Sequence, residues 1–329
     1  MKKIIALLVV FMLLETMFSC SEPNSDPTPM ESSEKPTTTD QAGDNRPLPQ
    51  KTEVDLFLFM GGANMSGRGN AAESATYDAG HAFEFKAVSD PTKLYPMTAG
   101  FGNGENLEHK ISDTEQKTGG LVPAFCEAYY QATQTPIVAV SCSEGNTASS
   151  QWTAGKGKLE DAISRMETAQ DFLKKSETYT LRHTYAVWLQ GEADGDYDVD
   201  PDVYVENIRI VSKTLLKRGV EKMFLIQIGN HAESELKYRN IQDAQRTICS
   251  ETAGCVLVSD MLFKMDSHLH DGYLYDQETY DLIGADAGKN AGNYVLNPDS
   301  YVAPDHREHE FTEDNQFDGT EIELPPDLF

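Results

Sequence analysis

Five short apolar runs punctuate the chain: Val54–Met60, Pro136–Cys142, Thr184–Gln190, Lys222–Ile228 and Cys255–Ser259. Each is rich in β-branched or aromatic residues and is followed by Gly, Ser or Asp. Continuous apolar runs bounded by such residues are the pattern of parallel strands covered on both faces. The segments between them carry helical spacing. Residues 202–218 show it best, with Val205, Ile208, Val211 and Leu215 on one face. Residues 121–132, 158–175, 233–251 and 277–291 are the other expected helices. Strand and helix in alternation predict an α/β fold, a doubly wound three-layer α/β/α sandwich on a mostly parallel five-stranded sheet. Ligands of such folds bind at the carboxyl ends of the strands, so the chemistry is sought just after each run.

The pattern places one domain over residues 53–295 and gives the flanks a different character. Lys2 and Lys3 precede an apolar stretch, Ile4–Leu14, that is too short to span a bilayer comfortably. Thr16-Met17-Phe18-Ser19-Cys20 follows and resembles a bacterial lipoprotein signal, although Met17 stands where Leu is commoner. On that resemblance residues 1–19 are a signal peptide and Cys20 is the lipidated residue. The rest of 20–52 is rich in Ser, Pro, Thr and acid and is expected to be a disordered tether. Ser21-Glu22 is similar to sorting signals of some Gram-negative surface lipoproteins. The chain is thus expected to be exported and anchored to the bacterial outer membrane or cell surface, meeting the membrane through lipid alone. Residues 296–329 are acidic and Pro-containing, and read as either a tail or a strap.

Charge narrows the partners. With 53 Asp and Glu against 27 Lys and Arg the formal net charge is −26, which repels phosphate backbones and argues against nucleic acid. Cys126 and Cys142 lie in apolar segments and read as buried thiols. Cys249 and Cys255 are close enough in sequence for an oxidising compartment to permit a bridge. No Cys/His spacing suggests a metal, and no cofactor is implied.

The candidate chemistry lies where the fold predicts. The first run leads into Gly61-Gly62-Ala63-Asn64-Met65-Ser66-Gly67-Arg68-Gly69, a strand, a glycine turn and a short helix that present one side chain above the sheet. The second leads into Ser143-Glu144-Gly145-Asn146-Thr147, with Trp152 beyond, and the third into Gln190-Gly191-Glu192-Ala193-Asp194. These blocks resemble, in order, those of the SGNH hydrolases, in particular the sialate O-acetylesterase and acetylxylan-esterase-like carbohydrate esterases. The resemblance implies a nucleophile at position 63, an oxyanion-binding backbone N–H at Gly145 and a side-chain donor at Gln190; Asn64 reads as either a binding residue or a loop brace. The last block resembles Asp-x-x-His, with Asp271 as the orienting acid and position 274 as the base.

The reacting groups themselves depart from the family. Ala63 stands at the nucleophile, Leu274 at the base, and Gly62 where the family has Gln. Acyl transfer by this route needs a hydroxyl to attack and an imidazole to take its proton, and neither Ala63 nor Leu274 can do so. Ser66, one helical turn on, and His270, just before Asp271, are possible substitutes; His268 and His81 are weaker ones. Trp188 reads as core and Trp152 as core or sugar platform, while Glu192 and Asp194 read as loop braces. The expected function is an exported lipoprotein with a carbohydrate-esterase-like domain, impaired in catalysis, that binds an O-acetylated glycan. An active O-acetylesterase with a relocated nucleophile or base is the alternative, and a structural surface lipoprotein is a third reading.

Overall fold

The computed structural model describes residues 50–306, except for the side chains of Ser267 and His270. The expected signal, Cys20 and nearly all of the tether lie outside the described residues, as does the tail beyond His306. The elements in chain order are β1 (Thr52–Gly61), α1 (Ala63–Ser66), β2 (Ala82–Phe85), β3 (Leu94–Pro96), α2 (Val122–Thr133) and β4 (Ile137–Ser143). Then come α3 (Lys158–Lys175), β5 (Tyr179–Leu189), α4 (Glu192–Asp196), α5 (Pro201–Lys217), β6 (Lys222–Ile226), α6 (Arg239–Glu251) and β7 (Cys255–Ser259). A short hairpin, β8 (Leu269–His270) and β9 (Leu274–Tyr275), precedes the last helix, α7 (Gln277–Leu296).

The α/β/α class is as expected, and all five apolar runs are parallel strands. The sheet has seven strands rather than five, in the order β3-β2-β4-β1-β5-β6-β7. The additions, β2 and the antiparallel β3, extend the edge beside β4. Crossovers from β4 to β5, β5 to β6 and β6 to β7 run one way across the sheet and the crossover from β1 to β4 runs the other. Right-handed connection therefore puts α3, α5 and α6 on one face and α2 on the opposite one. The aromatic core follows: Phe57 and Phe59 of β1 meet Phe125 of α2 edge-on at centroid distances of 5.6 and 5.3 Å, while Phe172 of α3 meets Phe85 on the other face. Helix α7 lies against α2 so closely that a Cβ on Gly288 would sit 2.1 Å from the Phe125 carbonyl oxygen. Only glycine permits that approach.

Three details differ from the expected helices and flanks. Helix α6 begins at Arg239 rather than 233, because the preceding residues form a turn closed by the His231–Ser234 bridge. Helix α7 runs on to Leu296, and residues 297–306 strap back across β7. Tyr301 Oη donates to the Leu257 carbonyl at 2.7 Å, and His306 Nδ1 lies 2.5 Å from Asp260 Oδ1. Cys249 and Cys255 are free thiols, so the permitted bridge is not formed; Cys255 Sγ instead donates to Ser212 Oγ at 3.3 Å. Among the described residues no helix is long and apolar enough to cross a membrane.

Candidate functional site

Strand register brings the three blocks together. Gly61, at the end of β1, stands opposite Ser143 of β4 on one side and Leu189 of β5 on the other. Backbone bonds tie the loops beyond: Gly62 N–H donates to the Leu189 carbonyl at 2.8 Å and Glu144 N–H to the Gly61 carbonyl at 2.9 Å. A Cβ on Gly145 would lie 3.5 Å from the Ala63 Cβ, and one on Gly62 would lie 3.5 Å from Glu192 Oε2. The fourth block arrives with the β8–β9 hairpin, whose Tyr273 carbonyl accepts from Asn64 Nδ2 at 3.0 Å. All four blocks thus converge at the carboxyl ends of the central strands.

What the convergence does with its polar groups is the informative part. Asn64 spends both amide hydrogens inside, on Glu192 Oε1 at 2.7 Å and on the Tyr273 carbonyl, and its oxygen accepts from Tyr280 Oη at 2.8 Å. Gln190 does likewise: its amide donates to the Thr147 carbonyl at 2.8 Å and to Asp194 Oδ2 at 2.5 Å. The Gln190 oxygen is buried without a hydrogen-bond partner. Asp194 also accepts from the Ser149 N–H and hydroxyl at 2.8 and 2.6 Å, so it braces the second block against the third. Burial raises the pKa of both Glu192 and Asp194, against the lowering effect of these hydrogen bonds.

The Gly145 N–H is also engaged. It points at Asp113 Oδ2, 3.3 Å away, and Asp113 is held by Arg68 Nη2 at 2.8 Å to each oxygen. Arg68 further donates through Nε to Glu115 at 2.7 Å and through Nη1 to the Gly67 carbonyl at 3.1 Å. Burial works to raise the Asp113 pKa, but the Arg68 bonds and charge overcome it and hold the carboxyl below its usual range. Asp113 arrives on the long irregular segment between β3 and α2, which Ser112 N–H pins to Glu144 Oε2 at 2.6 Å. Nothing periodic marks that segment in the sequence, so Asp113 carries no signal there. Arg68 is visible only as part of the first block.

Ala63 is 5% exposed and Gln190 is buried, while Leu274 is only half-buried. Ser66 Oγ is buried beside Asp113 without a well-formed hydrogen bond. Leu274 pairs in register with His270, whose side chain lies outside the described residues. Asp271 is exposed at the hairpin turn, with φ at +49°. His268 pairs with Asp276 at 2.9 Å. His81 stacks on Tyr130 and pairs with Glu127 at the amino end of β2, the far end of the sheet from Ala63. Trp152, open to two roles in the sequence, is core: it is fully buried, packs edge-on against Trp188 at 5.5 Å and donates its indole N–H to Thr147 Oγ1 at 3.0 Å.

One histidine not weighed from sequence sits beside the fourth block. A Cβ on Gly272 would lie 3.2 Å from His231 Nε2, which is 3.1 Å from Lys237 Nζ, while His231 Nδ1 accepts from the Glu233 N–H at 3.1 Å. His231 follows β6, where no motif singles it out. Among the described residues no group of His, Cys, Asp and Glu is arranged to hold a metal ion.

Comparison with known proteins agrees with this architecture. A protein from Arabidopsis thaliana of solved structure superposes over 74% of this chain and 98% of its own, with 17% identity and a TM-score of 0.56. A carbohydrate acetylesterase from Xanthomonas citri aligns over 75% of this chain and 57% of its own, with 16% identity and a TM-score of 0.48. No curated relative matches the sequence significantly. The family described as carbohydrate esterase, sialic acid-specific acetylesterase, matches residues 53–273, which span the sheet and the first three blocks and end just before Leu274. The chain belongs to this family of carbohydrate esterases.

Proposed function

We propose that this protein is an exported, lipid-anchored member of the family that binds acetylated glycan without hydrolysing it. The observation that carries the reading is the state of the reaction centre. Alanine and leucine stand at the nucleophile and base, and the two groups that would receive an oxyanion, Gly145 N–H and the Gln190 amide, are donating inside the protein. An oxyanion donor contributes only if it is free to meet charge as it develops, and each is worth about 3 kcal/mol of barrier. The family's substrate class supports an acetylated carbohydrate as the ligand, and the lipoprotein-like start of the chain supports a surface location. Titration of the folded, full chain on an array of O-acetylated glycans tests the reading: selective binding is expected, and silence across the array contradicts it.

One observation favours a second reading, an active O-acetylesterase. The buried Ser66 hydroxyl lacks a well-formed hydrogen bond and lies one turn from Ala63. A serine-directed fluorophosphonate separates the two. Under the binding reading the folded chain takes up no label; labelling abolished by Ser66→Ala establishes the enzyme.

A further inference from the structure

Ala63 is 5% exposed, and the structure has a hollow of about 500 Å³ on the same rim of the sheet. Its walls are His109 and Lys110 from the segment before α2, Gln151 from the second block's loop, and Lys156 and Lys158 at the start of α3; its floor is Glu144. Glu144 is the residue next to Gly145, so the hollow adjoins the family's reaction centre. The volume lies within the range of small-molecule sites, about 300–1,000 Å³.

The charge of the hollow is the reverse of the molecule's. The chain carries −26, yet three lysines surround a single lining carboxylate. That carboxylate is already neutralised, since Lys158 Nζ reaches Glu144 Oε2 at 2.5 Å and the Lys110 carbonyl at 3.3 Å. Lys158 is nearly buried and acts as a strut joining the two walls. Lys110 and Lys156 are exposed and make no ion pair among the described residues. Glu108 and Glu160 border the hollow without lining it: Glu108 lies 3.2 Å from His109, and Glu160 accepts from the Gly155 and Gly157 N–H groups at 2.6 and 3.0 Å. Two exposed ammonium groups lining one cavity, in a protein of strongly negative net charge, amount to a local anion trap. Ser112, Ser150 and Gln151 add neutral hydrogen-bonding capacity of the kind sugar hydroxyls use.

We infer that this hollow is a saccharide-binding site selective for an anionic sugar, its carboxylate or sulfate ester seated between Lys110 and Lys156. The inference rests on the glycan-binding reading and adds to it the place and the charge of the ligand. Calorimetric titration of the full chain tests it, with glucuronic-acid-bearing xylo-oligosaccharides, heparin-derived disaccharides carrying sulfate esters, and uncharged xylo-oligosaccharides as probes. The charged probes are expected to bind at least about tenfold more tightly than the neutral one, with affinity falling as salt screens the lysines. Preference for the first or second charged probe tells carboxylate from sulfate. Lys110→Gln/Lys156→Gln, which alters only exposed side chains, is expected to erase the difference. Equal affinity for neutral and charged probes, or a double variant that binds as before, overturns the hollow and leaves glycan binding standing. A folded chain that binds none of the probes and is silent on the acetylated array overturns both.

Discussion

Much of the chemistry of this molecule is decided by where single polar groups spend their hydrogen bonds. The blocks that carry the family resemblance could be read from the sequence, as could the alanine at 63 and the leucine at 274, where the resemblance puts a nucleophile and a base. The engagement of Gln190, Asn64 and Gly145 could not be read, because it depends on Thr147, Asp194, Glu192 and Asp113, which share no spacing with them. Lys117 is a similar case. It lies in the irregular segment before α2, is 4% exposed, and donates to Ser141 Oγ at 2.8 Å and to Ser143 Oγ at 3.2 Å. Burial pushes its ammonium down to about 8 from an ordinary value near 10.5, with Asp113 opposing. Between those values the unfolded chain holds a proton that the folded chain has released, so this group's contribution to stability rises with pH. Urea unfolding is expected to show a gain of about 2 kcal/mol from this residue between pH 8 and 9.5 that Lys117→Met removes. The same pH slope in both proteins contradicts the assignment.

At the scale of elements, the five central strands were legible because they are buried on both faces and therefore uniformly apolar. The two edge strands were not. Ala82–Phe85 alternates with a glutamate, Leu94–Pro96 ends on a proline, and both are too short for pattern to separate them from loop. The helices were legible by their spacing, but their ends were set by tertiary structure: the His231–Ser234 turn delays α6, and packing on α2 carries α7 five residues past its expected end. Trp152 stayed open in the sequence for a related reason, since its serine-rich neighbours suggest a surface loop while Thr147 supplies the buried partner its indole requires. The α2–α7 contact gives the sharpest mutational expectation. Gly284 and Gly288 sit one turn apart, and a Cβ on either would meet α2 backbone or the residue before it, at 2.3 and 2.1 Å. Gly288→Val forces the helices apart and is expected to lower stability by about 3 kcal/mol, read as a lower urea midpoint. An unchanged midpoint would show that the helices can separate freely and that the close approach is not required.

For the whole molecule, the fold brings the four blocks to one rim of the sheet, where Asn64 and Gln190 spend their amide hydrogens on neighbouring blocks. The internal anion Asp113 stands on the Gly145 N–H and Arg68 holds it there; on our proposal the rim seats its ligand in the basic hollow alongside. On that proposal the overall negative charge sharpens the hollow's selectivity, since an anion is repelled by the net field and drawn to the lysines. On the proposed reading, placing serine at 63 and histidine at 274 is not enough to give acyl-transfer chemistry. The decisive measurement is acetate release from acetylated xylan and O-acetylated sialic acid by the wild-type chain and by Ala63→Ser/Leu274→His, each confirmed folded. Both are predicted to be silent, since Gly145 and Gln190 keep their internal partners in either protein. Acetate released by the double variant would mean that the oxyanion donors are free after all, and release by the wild type would mean that the protein is an enzyme.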